Sequence, residues 1–155
     1  MINKLNFYGV RGLALDLFKN YLHNRKQYVE FKKEISETRS ITCGVPQGSV
    51  LGPRLFIMYT NDLPHSIQNS KCILLADDTT IYTSASQPSE AYNMKNIDLN
   101  ILCDWFKANK LSLNVSKTTY MMFNKNIQNP NINTPLKIGM HKLKGYLPQK
   151  FLAFC

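Results

Sequence analysis

The chain has 155 residues, 44% of them hydrophobic, and a formal net charge of +9, which is enough length and apolar content for a core and excludes a disordered polymer. No apolar run approaches the ~18 residues of a membrane helix and no signal-peptide core follows residues 1–6, so an intracellular protein without a transmembrane segment is expected. The four cysteines, Cys43, Cys72, Cys103 and Cys155, stand far apart with no Cys-x-x-Cys pair and no histidine at zinc-ligand spacing, and are expected as free thiols.

Leu13–Leu22 places apolar residues three and four apart after the breaker Gly12, which predicts a helix. Residues 27–31 and 38–42 flank the charged stretch Lys32-Lys33-Glu34 and read as a hairpin. In residues 43–53 the glycines recur at every fourth position and Pro53 suits the first turn of a helix, expected over residues 54–62.

Two β-like runs follow, residues 70–76 and 79–83, joined at Asp77-Asp78, the only adjacent acids in the chain. A tight turn there pushes two carboxylates together, and their repulsion is costly unless a positive charge sits beside them. A divalent cation is the natural candidate; a surface turn that merely tolerates two aspartates is the alternative.

Pro88 opens a second long helix, to about Ala108, with Met94, Ile97, Ile101, Leu102 and Trp105 as its core stripe and Asn109 as a left-handed stop. Leu111 and Leu113 alternate into a turn at residues 114–117, and residues 118–123 read as a returning strand. Residues 124–135 are Asn/Pro-rich and loop-like, before a short basic hairpin over residues 136–143 with Gly139 at its turn. Neither an internal repeat nor a domain boundary is evident. Helices interspersed with hairpins predict an α+β fold in which an antiparallel sheet packs on helices.

Charge is unevenly spread along this order. Residues 1–104 hold eleven Lys or Arg and all ten acids, whereas residues 105–155 hold eight lysines and no acid. A one-signed segment fits a phosphate backbone, and a solubilising lysine face accounts for it equally well.

Four blocks resemble the reverse transcriptases of non-LTR retrotransposons, particularly jockey-like elements of animals. They are Asn20-Tyr21-Leu22-His23-Asn24-Arg25-Lys26-Gln27-Tyr28-Val29; Gly44-Val45-Pro46-Gln47-Gly48-Ser49-Val50-Leu51-Gly52-Pro53; Ala76-Asp77-Asp78-Thr79; and Asn109-Lys110-Leu111-Ser112-Leu113-Asn114-Val115-Ser116-Lys117-Thr118. The resemblance covers residues 3–123 best, leaves residues 124–155 as a basic tail toward the primer grip, and makes the whole chain a partial reverse transcriptase domain. It implies a right-hand polymerase palm with part of the fingers, using an RNA template, a DNA primer and deoxynucleoside triphosphates. Asp77 and Asp78 become catalytic metal ligands, Asp77 the stronger, for Mg²⁺ or Mn²⁺. Two such ions ~3.5–4 Å apart would activate the primer 3′-hydroxyl and neutralise the leaving pyrophosphate. Pro46, Gln47 and Gly48 match positions against the incoming nucleotide and template, although the glycines of that block also suit a turn alone. Lys117 matches a lysine that stabilises or protonates pyrophosphate, with a solvated turn lysine as the alternative. Lys137, Lys142, Lys144 and Lys150 are the candidate contacts to the nucleic-acid backbone.

Departures from the family pattern are equally specific. The block with the aspartate that bridges both metals lies upstream of the segment matching residues 2–9, and Asp16 falls on a helix at a non-catalytic position. Leu75 stands where Phe or Tyr usually precedes Ala-Asp-Asp, Ala153 replaces the usual glycine of the primer grip, and no thumb follows. These 155 residues are therefore expected to be inactive alone. The rival reading is a non-catalytic nucleic-acid-binding remnant of a retroelement; an RNA-dependent RNA polymerase is disfavoured by the long Gly-Val-Pro-Gln-Gly block.

Overall fold

A computed structural model describes residues 1–42, 44–45, 48–123 and 135–146. The chain divides into two compact units, Met1–Asn61 and Asp62–Cys155, where the sequence marks no boundary.

In the first unit, helix α1 (Ile2–Phe7) lies against α2 (Leu13–Leu22) and α3 (Leu51–Thr60), burying Leu5 and Leu55. Lys4 ties α1 to α3, its Nζ donating to the Tyr59 carbonyl at 2.7 Å while sitting 4.6 Å from that ring's centre. The predicted α2 helix is present, yet none of its residues is fully buried. The predicted hairpin is present as two nested antiparallel pairs: β1 (Lys26–Gln27) with β4 (Arg39–Ser40), and β2 (Glu30–Phe31) with β3 (Glu34–Ile35). Its tip is Lys32-Lys33, both at positive φ (51° and 70°), the sign pattern of a I′ turn that matches strand twist. Glu34 belongs to the strand. Helix α3 begins earlier than expected, with Val50 as its N-cap, and Ser49 Oγ just before it accepts the Gly52 N–H at 3.0 Å.

In the second unit a 3₁₀ turn at Leu63–His65 leads to β5 (Lys71–Leu75) and β6 (Asp78–Tyr82), followed by α4 (Pro88–Ala108). A 3₁₀ turn at Val115–Lys117 then precedes β7 (Thr119–Met121), β8 (Lys137–Ile138), β9 (His141–Lys142) and β10 (Lys144–Tyr146). Tyr92 and Leu99 of α4 pack with Leu136, Ile138 and Leu143, and Ile81, Cys103, Leu113, Val115, Tyr120 and Met122 close around them. The basic hairpin β8–β9, with Gly139 at φ 59° in its turn, is thus half core: Leu136, Ile138 and Leu143 join the α4 cluster while its lysines and the turn residue Met140 stay exposed.

This corrects part of the expected stripe on α4: Leu102 is buried as expected and Met94, Ile101 and Trp105 are half-buried. Ile97 is 51% exposed, whereas Tyr92, Asp98, Leu99 and Leu102 are buried, a face rotated by about one 100° residue step. The rotation follows from the partner segment: Asn96 on this face accepts the Lys137 N–H at 3.1 Å and donates to the Pro135 carbonyl at 3.4 Å, like one residue of a strand edge. The stop of α4 is also corrected. Asn109 stays at φ −88° and Lys110 takes the left-handed position at φ 54°. Leu111 N–H then bonds the Phe106 carbonyl at 2.9 Å and Lys110 N–H the Lys107 carbonyl at 3.0 Å, the two bonds of a Schellman motif.

The expected antiparallel sheet is, among the described residues, a set of separate two-stranded ladders, and β7–β10 is parallel. Gly145 of β10 pairs with Tyr120 of β7, whose ring crosses directly above it: a Cβ on Gly145 would stand 2.5 Å from the ring. That ring is fixed from its other side by Tyr92, edge-on at 5.9 Å with the two hydroxyls 3.3 Å apart. Gly145→Ala should therefore destabilise the chain by ~1–3 kcal/mol through overpacking, read as a lower urea midpoint; an unchanged midpoint would mean that the ring swings aside freely.

Candidate active site

Strands β5 and β6 are in antiparallel register from Lys71↔Tyr82 to Leu75↔Asp78, so the turn between them is Ala76-Asp77 and not Asp77-Asp78. Ala76 sits at φ 52° and Asp77 does not, the sign pattern of a II′ hairpin turn. An L residue in that region costs ~1–2 kcal/mol, so the tip is strained at the residue before the carboxylates. The two acids consequently differ: Asp77 stands in the turn, free of the ladder, while Asp78 begins β6 and shares the face of Leu75 and Ile73. Both are exposed, and among the described residues neither carboxylate has an ion-pair or hydrogen-bond partner.

Alternation sets the hairpin on the core. Cys72, Leu74 and Ile81 are half-buried on one face, with Ile81 against the Tyr92–Leu99 cluster, while Lys71, Ile73, Leu75, Thr80 and Tyr82 are exposed on the other. Val115 packs on the same cluster and belongs to the turn that carries Lys117. That turn is held by Asn114, whose Oδ1 accepts the Lys117 N–H at 3.3 Å and the Ser116 hydroxyl at 2.7 Å. One core therefore supports both the carboxylate hairpin and the lysine turn.

Sequence reasoning missed Asp98, which has no exposed surface although it lies on a helix between Ile97 and Leu99. Its carboxylate accepts the Gln68 N–H at 3.0 Å, the Asn69 N–H at 3.1 Å and the Asn69 Nδ2 at 3.3 Å. Burial pushes its pKa up, but hydrogen bonds from Ser70, Gln68 and Asn69 outweigh that and hold it below the usual range. Nearby Lys95 donates to Ser70 Oγ at 3.2 Å, its pKa lowered by burial against the opposing pull of Asp98. The available signal was spacing: Asp98 is four residues from Leu102 and three from Lys95, inside the face that the helix buries.

Elsewhere, Gly48 lies in the first unit at φ 75° and a Cβ there would meet nothing within 4 Å, so its requirement for glycine is conformational. Gly44 is similar at φ 86°, whereas Pro46, Gln47 and Lys150 lie outside the described residues. Lys137, Lys142 and Lys144 are exposed, and Lys137 pairs directly across the ladder from Lys142. A shallow depression of about 320 Å³ beside Ile2, Lys19, Asn20, Leu22 and His23 holds none of the predicted residues. Among the described residues no cluster of three or more His, Cys, Asp or Glu gathers, and no helix is long and apolar enough to cross a membrane.

Asp77 and Asp78 fit a magnesium-type ion, because hard carboxylate oxygens without a competing cation, one or two per ion, suit an ion completed by substrate phosphates. A family model described as reverse transcriptase (RNA-dependent DNA polymerase) matches residues 2–153. Over 139 residues the chain is 32% identical to the probable RNA-directed DNA polymerase from transposon BS of Drosophila melanogaster, covering 85% of this chain and 14% of that protein. The probable polymerase from transposon X-element of the same species is 31% identical over 112 residues, 69% of this chain and 12% of its own length. The RNA-directed DNA polymerase from mobile element jockey of Drosophila funebris is 28% identical over 150 residues, 89% of this chain and 16% of that protein. The chain thus spans a small part of the relatives it matches, and no solved structure matches it.

Proposed function

Because this chain belongs to the reverse transcriptase (RNA-dependent DNA polymerase) family, we propose that it supplies two of the metal-binding carboxylates for template-directed DNA synthesis on RNA, in the palm of a right-hand polymerase. The observation that carries this reading is the exposed pair at the hairpin tip, Asp77 in the two-residue turn and Asp78 at the first position of β6, with neither carboxylate ion-paired among the described residues. Mg²⁺, or Mn²⁺, bound there supplies positive charge to the primer 3′-hydroxyl and to the leaving pyrophosphate. Asp77, outside the ladder, can turn both oxygens to an ion; Asp78, fixed at the start of β6, offers a ligand of set direction. Lys117, exposed beside a core-packed turn, serves as the positive group toward pyrophosphate. Gly48, with open space where a side chain would be, leaves its backbone accessible to the incoming nucleotide or template, next to Pro46 and Gln47. Among the described residues no third carboxylate joins Asp77 and Asp78, and the family pattern has its bridging aspartate in a block upstream of residues 2–9. Residues 1–155 alone are therefore expected to extend no oligo(dT) primer on RNA with four deoxynucleotides and Mg²⁺ or Mn²⁺. Extension that Asp77→Asn abolishes would overturn that expectation.

The exposed lysines support a nucleic-acid face on the same unit. Two lysines directly opposite on a ladder repel, and Lys137↔Lys142, with Lys144 two residues on, forms such an apposition in a chain where anionic phosphate would relieve it. Exchanging Lys137, Lys142, Lys144 and Lys150 for glutamine should flatten the log-log salt dependence of primer–template binding by about one unit or more, at ~0.7–0.9 per phosphate contact. Fluorescence anisotropy across ~50–200 mM salt measures it. An unchanged slope would assign these lysines to solubility. Binding without metal-dependent extension in the complete polymerase would favour the non-catalytic remnant.

A further inference from the structure

We infer that Asp98 is the positioning residue of the Asp77–Asp78 tip: its carboxylate locks the base of the β5–β6 hairpin to helix α4 and so sets where the two acids stand. The inference rests on the reading of Asp77 and Asp78 as metal ligands. Among the described residues β5 and β6 pair only with each other, and a lone two-stranded hairpin is marginal in water. Its rigidity has to come from its face, where Ile81 meets the core, and from its base.

At the base the contacts converge on one side chain. Asp98 takes both consecutive N–H groups of Gln68 and Asn69, just before β5, and the Asn69 side-chain amide as well. Asn69 in turn accepts the Thr83 hydroxyl at 2.7 Å, just after β6. The two ends of the hairpin are therefore joined to each other through Asn69 and to α4 through Asp98. A carboxylate does this where a neutral group would not, because charge-assisted hydrogen bonds are roughly twice as strong and one anion can order three donors. Five residues of β5 put the tip ~17 Å from this anchor, so a ~5° tilt at the base moves the carboxylates ~1.5 Å, on the scale of the ~1 Å misplacement that costs a positioned reaction ~10²-fold.

The test uses the 155-residue chain, with amide hydrogen exchange and paramagnetic broadening by Mn²⁺ as readouts. In Asp98→Asn, exchange of the β5 and β6 amides should quicken by ~10-fold or more relative to the amides of α4, as expected for local opening after loss of charged hydrogen bonds. Broadening of residues 76–79 should need several-fold more Mn²⁺. If Asp98→Asn does not fold, Thr83→Val, which cuts the other strand's tie, should loosen the same amides while Thr83→Ser preserves them. Hairpin protection that follows α4 in every folded variant would overturn the proposal, because Asp98 would then serve stability alone. Should the parent show no Mn²⁺ broadening that Asp77→Asn removes, the metal reading fails, and hairpin exchange still decides whether Asp98 sets the tip.

Discussion

Asp77→Asn, in a polymerase that joins residues 1–155 to an upstream aspartate block and a thumb, is expected to lower Mg²⁺-dependent primer extension by ~10²–10³-fold. A metal-bound charge contributes several kcal/mol to a transition state, and each ~1.4 kcal/mol is a factor of ten in rate. The loss should fall on the chemical step, seen in single-turnover extension with saturating template, and not on folding. Asp77 sits in the turn outside the ladder and has no side-chain partner among the described residues, so its replacement removes no native contact seen among them and the melting temperature should stay close to that of the parent. Asp78→Asn should lose activity on a comparable scale. A pair of variants that melt like the parent and polymerise at its rate would end the assignment of these acids as ligands.

Asp98→Ala is the change expected to cost most stability. It strands two backbone N–H groups and an amide that now share one buried carboxylate, at ~1–3 kcal/mol for each donor left without an acceptor. A total near ~2–4 kcal/mol is expected, since water reaches part of the loop. The acid side gives a second readout with a definite sign. The folded pKa of Asp98 lies below its unfolded value, with burial opposed and outweighed by hydrogen bonds from Ser70, Gln68 and Asn69. Its stabilisation is therefore complete above the unfolded pKa and is lost as pH falls through the folded one. Urea midpoints of the parent should decline from about pH 5 downward, and Asp98→Asn, with no proton to gain, should decline less steeply. Parallel curves would show that the carboxylate carries no pH-linked stability.

Local patterns were legible where one residue dictates the backbone. Pro88 at the start of α4, Gly139 in its turn and Asn114 at the head of the Lys117 turn each did so, and the helix Leu13–Leu22 followed from its spacing. Errors arose where a distant segment decides. The α4 stripe read from hydropathy favoured Ile97, yet Tyr92 and Leu99 face the core while the half-buried Asn96 bonds the backbone of residues 135 and 137, because segment 135–143 docks there through hydrogen bonds as well as apolar area. Asp98 was passed over for the same reason, since its partners are thirty residues away in sequence. The hairpin tip was displaced by one residue because Ala76, a poor candidate for positive φ, takes the turn position that Gly or Asn would announce. The Ala-Asp-Asp block itself was visible only as a pattern of residue types, and the backbone then separates its two acids into unlike positions.

Three of the five residues in the buried cluster of the second unit, Leu136, Ile138 and Leu143, come from a stretch synthesised well after the β5–β6 hairpin. During translation, at ~5–20 residues per second, chains fold in the order in which they emerge. The hairpin with its two aspartates can form from neighbours in sequence within microseconds, but the cluster around Tyr92 and Leu99 lacks Leu136, Ile138 and Leu143 until residues 136–143 arrive, and the parallel β7–β10 pairing adds a long loop closure. For those seconds the growing chain carries an α4 face that is only partly covered and an open strand edge on β7. This is the interval in which a nascent-chain chaperone, or a premature stop after β7, would decide its fate.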